Sequence, residues 1–327
     1  MKTSEELLQW YRQNHRQLPW RMDRNPYKIW ISEVMLQQTT VSAVIPYFER
    51  FLEAFPTVEA LAKADEERVL GLWSGLGYYS RARNLHRAAK QIAELGLFPQ
   101  TYEELLKLPG LGPYTAAAVA SIAFGEEVAA VDGNVIRVVT RLYDIAEDCT
   151  FKETRQLIQS KAQDLVSGQP PHEHNQAMME LGATICVPQN PFCLLCPVAR
   201  FCQARSNGTA AQRPVKKKMK KQEPWVWEML VIRRNGAVAL VKEDNGTPWL
   251  KKTWVLPGRA SPWTKSGNPE SDFRHSITHH KIFVKLKFGP PSLLRDRQVK
   301  WVKTAQIKEV GTSSIVRKAL EEASRRK

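Results

Sequence analysis

Apolar residues change their spacing part-way along the chain, and that change limits the folds open to it. Up to about residue 207 they recur at helical intervals, as in Ile29, Trp30, Val34, Leu36 and Val41, then Leu85, Ala88, Ala89 and Ile92, then Ile158, Ala162 and Leu165. Beyond residue 222 the period becomes two. Trp225 to Arg233 and Ala237 to Lys242 flank an Asn235-Gly236 turn, and Ile282, Val284 and Leu286 alternate with lysines. A closing helix is expected over Ser313 to Arg326. Turn signals at Asn25-Pro26, Gly75 to Gly77, Pro109 to Pro113, Asp132-Gly133 and Gln169 to Pro171 divide the first part into short helices. The 327 residues thus read as a mainly α domain over 1–207, a linker over 208–222 and an α+β domain over 223–327. No repeat period points to a solenoid.

Charge is divided as sharply as periodicity. Residues 1–207 hold 21 Lys+Arg against 23 Asp+Glu, whereas residues 208–327 hold 27 against 10. A polyanionic partner such as nucleic acid is favoured, and the near-neutral first domain must meet any phosphate through local geometry. Six of the ten positions 213–222 are basic. They form either a solvated connector or one that also follows a phosphate backbone. The longest apolar run, Thr115 to Phe124, falls short of the roughly 18 residues a membrane span needs. Met1 to Glu6 carries two acids and no apolar segment, so no secretory signal is expected, and the cytoplasm is the expected location.

Four of the five cysteines, Cys186, Cys193, Cys196 and Cys202, lie within seventeen residues in the pattern C-x6-C-x2-C-x5-C. Four thiolates so close in sequence can surround one metal centre, tetrahedral zinc or an iron–sulfur cluster, and spacing alone does not choose between them. Disulfides are the plainer reading and do not suit an intracellular chain. Cys149 stands apart as an ordinary thiol.

Leu108-Pro109-Gly110-Leu111-Gly112-Pro113-Tyr114-Thr115 sits between two helical stretches. Its glycines let the backbone approach a ligand. A helix starting at Tyr114 would turn its free N–H groups and positive dipole end into the turn, making an anion site without a charged side chain. Two acids occupy unusual positions. Glu33 lies on the apolar face of a helix, where desolvation would raise its pKa towards that of a general acid working near neutrality. Asp132 precedes a helix predicted over Val135 to Leu142, and its plainer reading is an N-cap. If both line one cleft, one can donate a proton while the other stays ionised. Cleavage of a glycosidic bond, with its oxocarbenium-like transition state, needs that pair.

Taken together, these residues resemble the adenine DNA glycosylases of the MutY family, within the endonuclease III (helix-hairpin-helix) superfamily. The resemblance covers nearly the whole chain. It rests on Leu18-Pro19-Trp20-Arg21, the run from Pro26 to Thr39, the Leu108–Thr115 hairpin, Val131 to Asn134 and the four-Cys loop, all in family order. It implies a mainly α helix-hairpin-helix glycosylase domain carrying a [4Fe–4S] cluster, followed by an α+β Nudix-like domain that reads 8-oxoguanine. It also implies a monomer that removes adenine mispaired with 8-oxoguanine or guanine in double-stranded DNA.

Carried over position by position, Glu33 is the acid that protonates adenine N7, and Asp132 is the carboxylate facing the sugar cation. Tyr114 falls where bifunctional relatives place a nucleophilic Lys, so strand cleavage should be weak or absent. Arg16, Trp20, Arg21, Leu36, Gln176 and Asn134 match positions that line the adenine pocket or order its water. Gln38, Leu76 and Tyr78 match residues that wedge into the base stack, although Leu76 and Tyr78 also read as plain packing. Gly110, Gly112 and Thr115 are the expected phosphate contacts, and Cys186, Cys193, Cys196 and Cys202 the cluster ligands.

In the second domain Trp254-Val255-Leu256-Pro257-Gly258 resembles the Trp-x-x-Pro-Gly turn of the Nudix fold. Arg259 to Asn268 contains no Asp or Glu, so metal-dependent pyrophosphate hydrolysis is not expected. Ile277-Thr278-His279 stands where the family usually has Phe-Ser-His, which keeps a hydroxyl at Thr278 and the imidazole at His279. Two other readings remain: an endonuclease III-like bifunctional enzyme acting on oxidised pyrimidines, which needs a Lys at Tyr114, and a non-catalytic DNA-damage binding module. Glu33 and Asp132 together argue against the latter.

Overall fold

The computed structural model describes residues 2–216, 222–242, 249–250, 253–277, 279–294, 298–307 and 310–326. By its internal contacts the chain divides into two units, residues 1–62 with 87–218 and residues 63–86 with 219–327. Among the described residues no helix is long and apolar enough to cross a membrane.

The first unit is helical. Its central helix, Pro26–Leu36, starts with Pro at N1 and is capped by Asn25, whose side chain accepts from the N–H of Tyr27 at 3.0 Å and Lys28 at 3.2 Å. The helix is buried nearly all round, from Ile29 to Met35. It packs against Pro113–Phe124, an Ala-rich helix buried from Thr115 to Ile122, whose small side chains permit a close approach. Gly133–Leu142 and Pro171–Thr184 complete the set that positions the site. Behind them Leu7, Val138, Val139, Ile158, Leu165 and Leu181 share one apolar core. The predicted helices stand with small changes of start: Pro113 in place of Tyr114, and Gly133 in place of Val135.

The residues read as a linker begin by packing on this unit. Arg213 pairs with Asp144 at 2.9 Å, the Thr209 hydroxyl donates to Asp144 at 2.6 Å, and Val215 O accepts from Cys149 N–H at 3.0 Å. Lysines 217, 218, 220 and 221 lie outside the described residues.

The second unit holds the strands. β1 (Glu223–Val231) is followed by β2 (Arg233–Arg234), β3 (Ala237–Val241), β4 (Gly258–Pro262), β5 (Phe273–Ile277), β6 (His280–Phe288) and β7 (Val299–Lys303). A four-stranded sheet runs β4-β1-β6-β5, with β1 parallel to β6 and both edges antiparallel, and a three-stranded sheet runs β2-β3-β7. The predicted Asn-Gly turn joins β2 to β3, with Asn235 at φ 49° and Gly236 at φ 73°. Helix Ser314–Arg325 buries Ile315, Val316, Ala319 and Leu320 in a core shared with Trp227, Met229, Ile282 and Val284. Residues 63–86 join this unit through Ser74, whose hydroxyl donates to Thr312 O at 3.0 Å, through the Tyr79 hydroxyl on the same carbonyl, and through Glu67, which pairs with Lys300 at 2.6 Å.

Candidate active site

These four helices and the short turn Pro19–Arg21 enclose a cleft of about 510 Å³. Arg16, Trp20, Arg21, Glu33, Leu36, Gln38, Tyr114, Asp132, Asn134 and Gln176 all line it, so the structure brings together ten of the residues singled out from the sequence.

Glu33 is 5% exposed. Burial raises its carboxyl to about 7, helped by the nearby Asp132 and opposed by the Tyr114 hydroxyl, which donates to it, and by Arg21. Tyr114 is thus a hydrogen-bond donor to the acid. Its own pKa is driven well above the ordinary value by burial and by the two acids. Its hydroxyl also touches the Met179 sulfur at 3.6 Å.

Asp132 does cap the helix Gly133–Leu142, accepting from Val135 N–H at 2.7 Å, and its other oxygen accepts from Asn134 Nδ2 at 2.8 Å. Burial raises its pKa, while these bonds and the Arg137 guanidinium favour the anion. Arg137 in turn donates to Asn134 Oδ1 at 2.8 Å and to Gly182 O at 2.7 Å. The capping role and the place in the cleft therefore coexist in one side chain. Gly182 lies so near that an added Cβ would come within 2.6 Å of the Asn134 Cβ, so the two helices meet at a spacing only glycine allows.

Met179 and Glu180, which line the cleft, and Arg137, which braces Asn134, carried no sequence expectation. Glu180 is 1% exposed on the helix Pro171–Thr184, one turn beyond Gln176. It accepts from Arg16 at 2.7 and 2.9 Å and from Arg21 at 2.8 Å. Burial alone would raise its carboxyl, but the two guanidiniums overcome that and hold it at about 2. The i,i+4 spacing from Gln176 was the available signal for it.

Gly110 takes φ 82°, and the helix Pro113–Phe124 begins at Gly112 with no side-chain cap, leaving N–H groups free at the turn. Thr115 is 2% exposed and its hydroxyl accepts from Gln37 Nε2 at 3.1 Å, so its side chain is turned into the protein.

Leu76 and Tyr78 belong to the second unit and line a different cavity, of about 630 Å³, with Trp249, Leu250, His275, Ser276, Ile277 and Ser313. Leu76 is buried, while Tyr78 is exposed and adopts φ 47°. His279 is exposed and its ring lies tilted against that of His280, with centroids 3.9 Å apart; it does not line that cavity. Thr278 lies outside the described residues.

Cys186, Cys193, Cys196 and Cys202 converge on one small cavity of the first unit, and none is in a disulfide. Burial pushes the Cys196 thiol up to about 12. Arg141, 2% exposed, donates to Cys186 Sγ at 3.3 Å and to Val187 O, Pro188 O and Ala210 O at 2.7, 3.0 and 2.9 Å, and Arg137 donates to Cys186 O at 2.7 Å. Four sulfur donors beside the buried Arg141 guanidinium, with the half-buried Arg137 nearby, suit an anionic thiolate-bound metal centre.

The description "HhH-GPD superfamily base excision DNA repair protein" belongs to the family profile that matches residues 31–164, the stretch holding Glu33, the hairpin, Asp132 and Asn134. An adenine DNA glycosylase of Buchnera aphidicola (from Schizaphis graminum) is 33% identical over 97% of this chain and 97% of its own length. The chain belongs to the adenine DNA glycosylase family. The rat adenine DNA glycosylase is 49% identical over 209 residues, which are 61% of this chain but only 40% of the rat protein. Among solved structures, a thermostable thymine-DNA glycosylase superposes with a TM-score of 0.57 at 28% identity, covering 63% of this chain and 97% of its own. The bacterial relative, covering 97% of the chain, extends over the strands as well.

Proposed function

We propose that the chain is a monofunctional DNA glycosylase that hydrolyses the N-glycosidic bond of adenine mispaired with 8-oxoguanine or guanine in duplex DNA. The observation that carries this reading is the pair Glu33 and Asp132 in one cleft: burial raises both carboxyls, Glu33 to about 7, where its proton is available near neutrality, while at Asp132 the Val135 and Asn134 donors and Arg137 oppose the rise and favour the anion. Adenine leaves the stack and enters the cleft beside Trp20 and Leu36. Glu33 delivers its proton to N7, the C1′–N9 bond breaks, and the Asp132 carboxylate stabilises the sugar cation until water adds to leave an abasic site. Asn134 and Tyr114 hold the two acids in place. Tyr114 offers no amine, so no Schiff base forms and the strand stays intact.

The hairpin at Gly110 and Gly112 is proposed to hold a backbone phosphate, and the basic residues beyond 208 to supply the salt-dependent attraction to DNA inside the cell. The α+β residues 223–327 are proposed as a Nudix-like lesion reader, with Leu76, Tyr78, Thr278 and His279 beside the lesion. The cavity that Leu76 and Tyr78 share with Trp249 and Ile277 supports the placing of those two residues. Cys186, Cys193, Cys196 and Cys202 are proposed to hold a [4Fe–4S] cluster, balanced by Arg141 and Arg137. When bound, such a cluster cross-links the loop and can exchange an electron; no proton transfer in the cleft depends on it.

The decisive experiment offers 8-oxoguanine:adenine, guanine:adenine and thymine-glycol duplexes in parallel under single-turnover conditions, with and without borohydride. Release of adenine from the first two, with no trapped adduct, is expected. Release of thymine glycol with a borohydride-trapped adduct would replace this reading with the bifunctional one, and binding without any release would leave a damage-binding module.

A second prediction concerns the helix contact at Gly182. In Gly182→Ala the new methyl must displace Asn134, and through it the Asp132 oxygen it bonds. A shift of about 1 Å at the reacting centre can cost on the order of 10²-fold in rate. Adenine release should fall to that extent while mismatch binding, measured by anisotropy, changes little. A rate within about twofold of the parent would show that the helices can part without moving the carboxylate.

A further inference from the structure

The cleft contains a third buried acid, Glu180, for which the proposed reaction has no task. A lone buried carboxylate is costly, and it persists only with partners. Here the partners are two guanidiniums that face the same cleft as Glu33. Arg16 Nε and Nη2 donate to the two Glu180 oxygens at 2.7 and 2.9 Å, and Arg16 N–H adds a bond at 3.2 Å. Arg21 Nη2 donates at 2.8 Å, Arg21 Nη1 donates to Arg16 O at 3.1 Å, and the guanidinium lies 5.7 Å from the Tyr11 ring centroid. The Arg21 side chain is thus anchored on the Glu180 side.

The charged and titratable groups around Glu33 come from every wall. Tyr114 faces it from the helix Pro113–Phe124, Asp132 from the cap of the next helix with Arg137 beside it, and Arg21 from the turn Pro19–Arg21, backed by Glu180, Arg16 and Tyr11. Arg21 is the cation among the groups that act on Glu33, and it favours the ionised, unreactive form. A guanidinium free to pair with a carboxylate commonly lowers its pKa by about 1–3.

We propose that Glu180 is a positioning residue, a decoy anion that holds Arg21 and Arg16 against the cleft wall and so keeps Arg21 from pairing with the acid Glu33. It rests on the assignment of Glu33 as the proton donor. With Glu180 present, Arg21 can contact an extruded base without discharging the acid. Without it, Arg21 would be left unpaired in the cleft it shares with Glu33, on whose carboxyl it already acts.

The test is the pH profile of single-turnover adenine release with the full-length, cluster-loaded protein and its variants. In Glu180→Gln the alkaline decline should begin at least about one pH unit lower than in the parent, a tenfold loss of protonated acid at a given pH above the midpoint. Glu180→Asp should recover part of the shift. The double variant Glu180→Gln/Arg21→Met should return the midpoint to that of the parent or above, whatever its absolute rate, because the offending charge is gone. If Glu180→Gln does not fold, Arg21→Met alone carries the test, and its midpoint should stand at or above that of the parent. A fall in rate that is equal at every pH, or a midpoint that stays low in the double variant, would overturn the decoy. A Glu33→Gln protein that still releases adenine at the parental rate would sink the acid assignment and the decoy together, whereas an essential Glu33 with an unmoved midpoint sinks the decoy alone.

Discussion

Glu33→Gln is expected to bind mismatched duplex as the parent does while releasing adenine about 10²- to 10⁴-fold more slowly, the range a positioned general acid supplies. Gln fills the same space and can still meet the Tyr114 hydroxyl, but it cannot deliver a proton to N7. The pH behaviour is the second half of the prediction. Because burial raises Glu33 to about 7, the acid is protonated below that value, and the parental rate should decline roughly tenfold per pH unit above it. A third consequence concerns stability and has the opposite sign. A carboxyl whose folded-state pKa exceeds its unfolded value binds its proton more tightly when folded. Stability is therefore lost as pH rises from the unfolded pKa, about 4.5, through about 7, and the loss is on the order of 3 kcal/mol. Glu33→Gln abolishes this loss, so at pH 8 the inactive variant should melt at a higher temperature than the parent. A rate within about tenfold of the parent, or a lower melting point at pH 8 with the alkaline decline unchanged, would remove Glu33 from the acid role.

Much of this was legible in the residues themselves. A carboxylate between Ile29, Trp30 and Leu36 on a helical period has no solvent face, and Glu33 is buried as that pattern requires. Asp before Gly-Asn-Val is a capping sequence, and Asp132 caps. What stayed hidden depends on partners far away in the chain. Glu180 reads as an ordinary helical acid until Arg16 and Arg21, some 160 positions earlier, are seen to converge on it. Arg141 reads as a surface residue of an amphipathic helix, yet it is buried because it satisfies the carbonyls of the cysteine loop. Residues 63–86 carry the same helical periodicity as their neighbours, and nothing local indicates that they pack with the strands. That follows from single long-range bonds such as Ser74 and Tyr79 on Thr312 O. Gly182 shows the same limit from the opposite side. A glycine inside a helix lowers helix propensity, and its reason, the 2.6 Å clearance from Asn134, exists only once two helices are packed.

Asp132→Asn is expected to fold and bind normally and to lose adenine release by about 10²- to 10³-fold, the size typical of removing one preorganised electrostatic contact at a developing charge. The capping bond makes this variant informative. Asn caps helices about as well as Asp, and its carbonyl oxygen can keep the bond from Val135 N–H at 2.7 Å, so the helix start survives. What disappears is the negative charge facing the sugar, and the Asn134 amide loses its acceptor at 2.8 Å. Asp132→Ala removes cap and charge together and should cost in addition about 1 kcal/mol of stability, visible as a lower denaturant midpoint. The two variants separate the roles: equal loss of release in both, with destabilisation confined to Ala, assigns catalysis to the charge and folding to the cap. If Asn keeps release within about tenfold of the parent while Ala loses it in proportion to its unfolding, Asp132 is a cap and nothing more. The pH dependence adds an independent check. The carboxylate must be ionised to act, so burial, by raising its pKa, should draw the acid limb of the parental profile upward from the ordinary Asp range, and that limb should be absent from the residual activity of Asp132→Asn. An acid limb that persists unchanged in the Asn variant would belong to some other group, and the cation would then need a different counter-charge in the cleft.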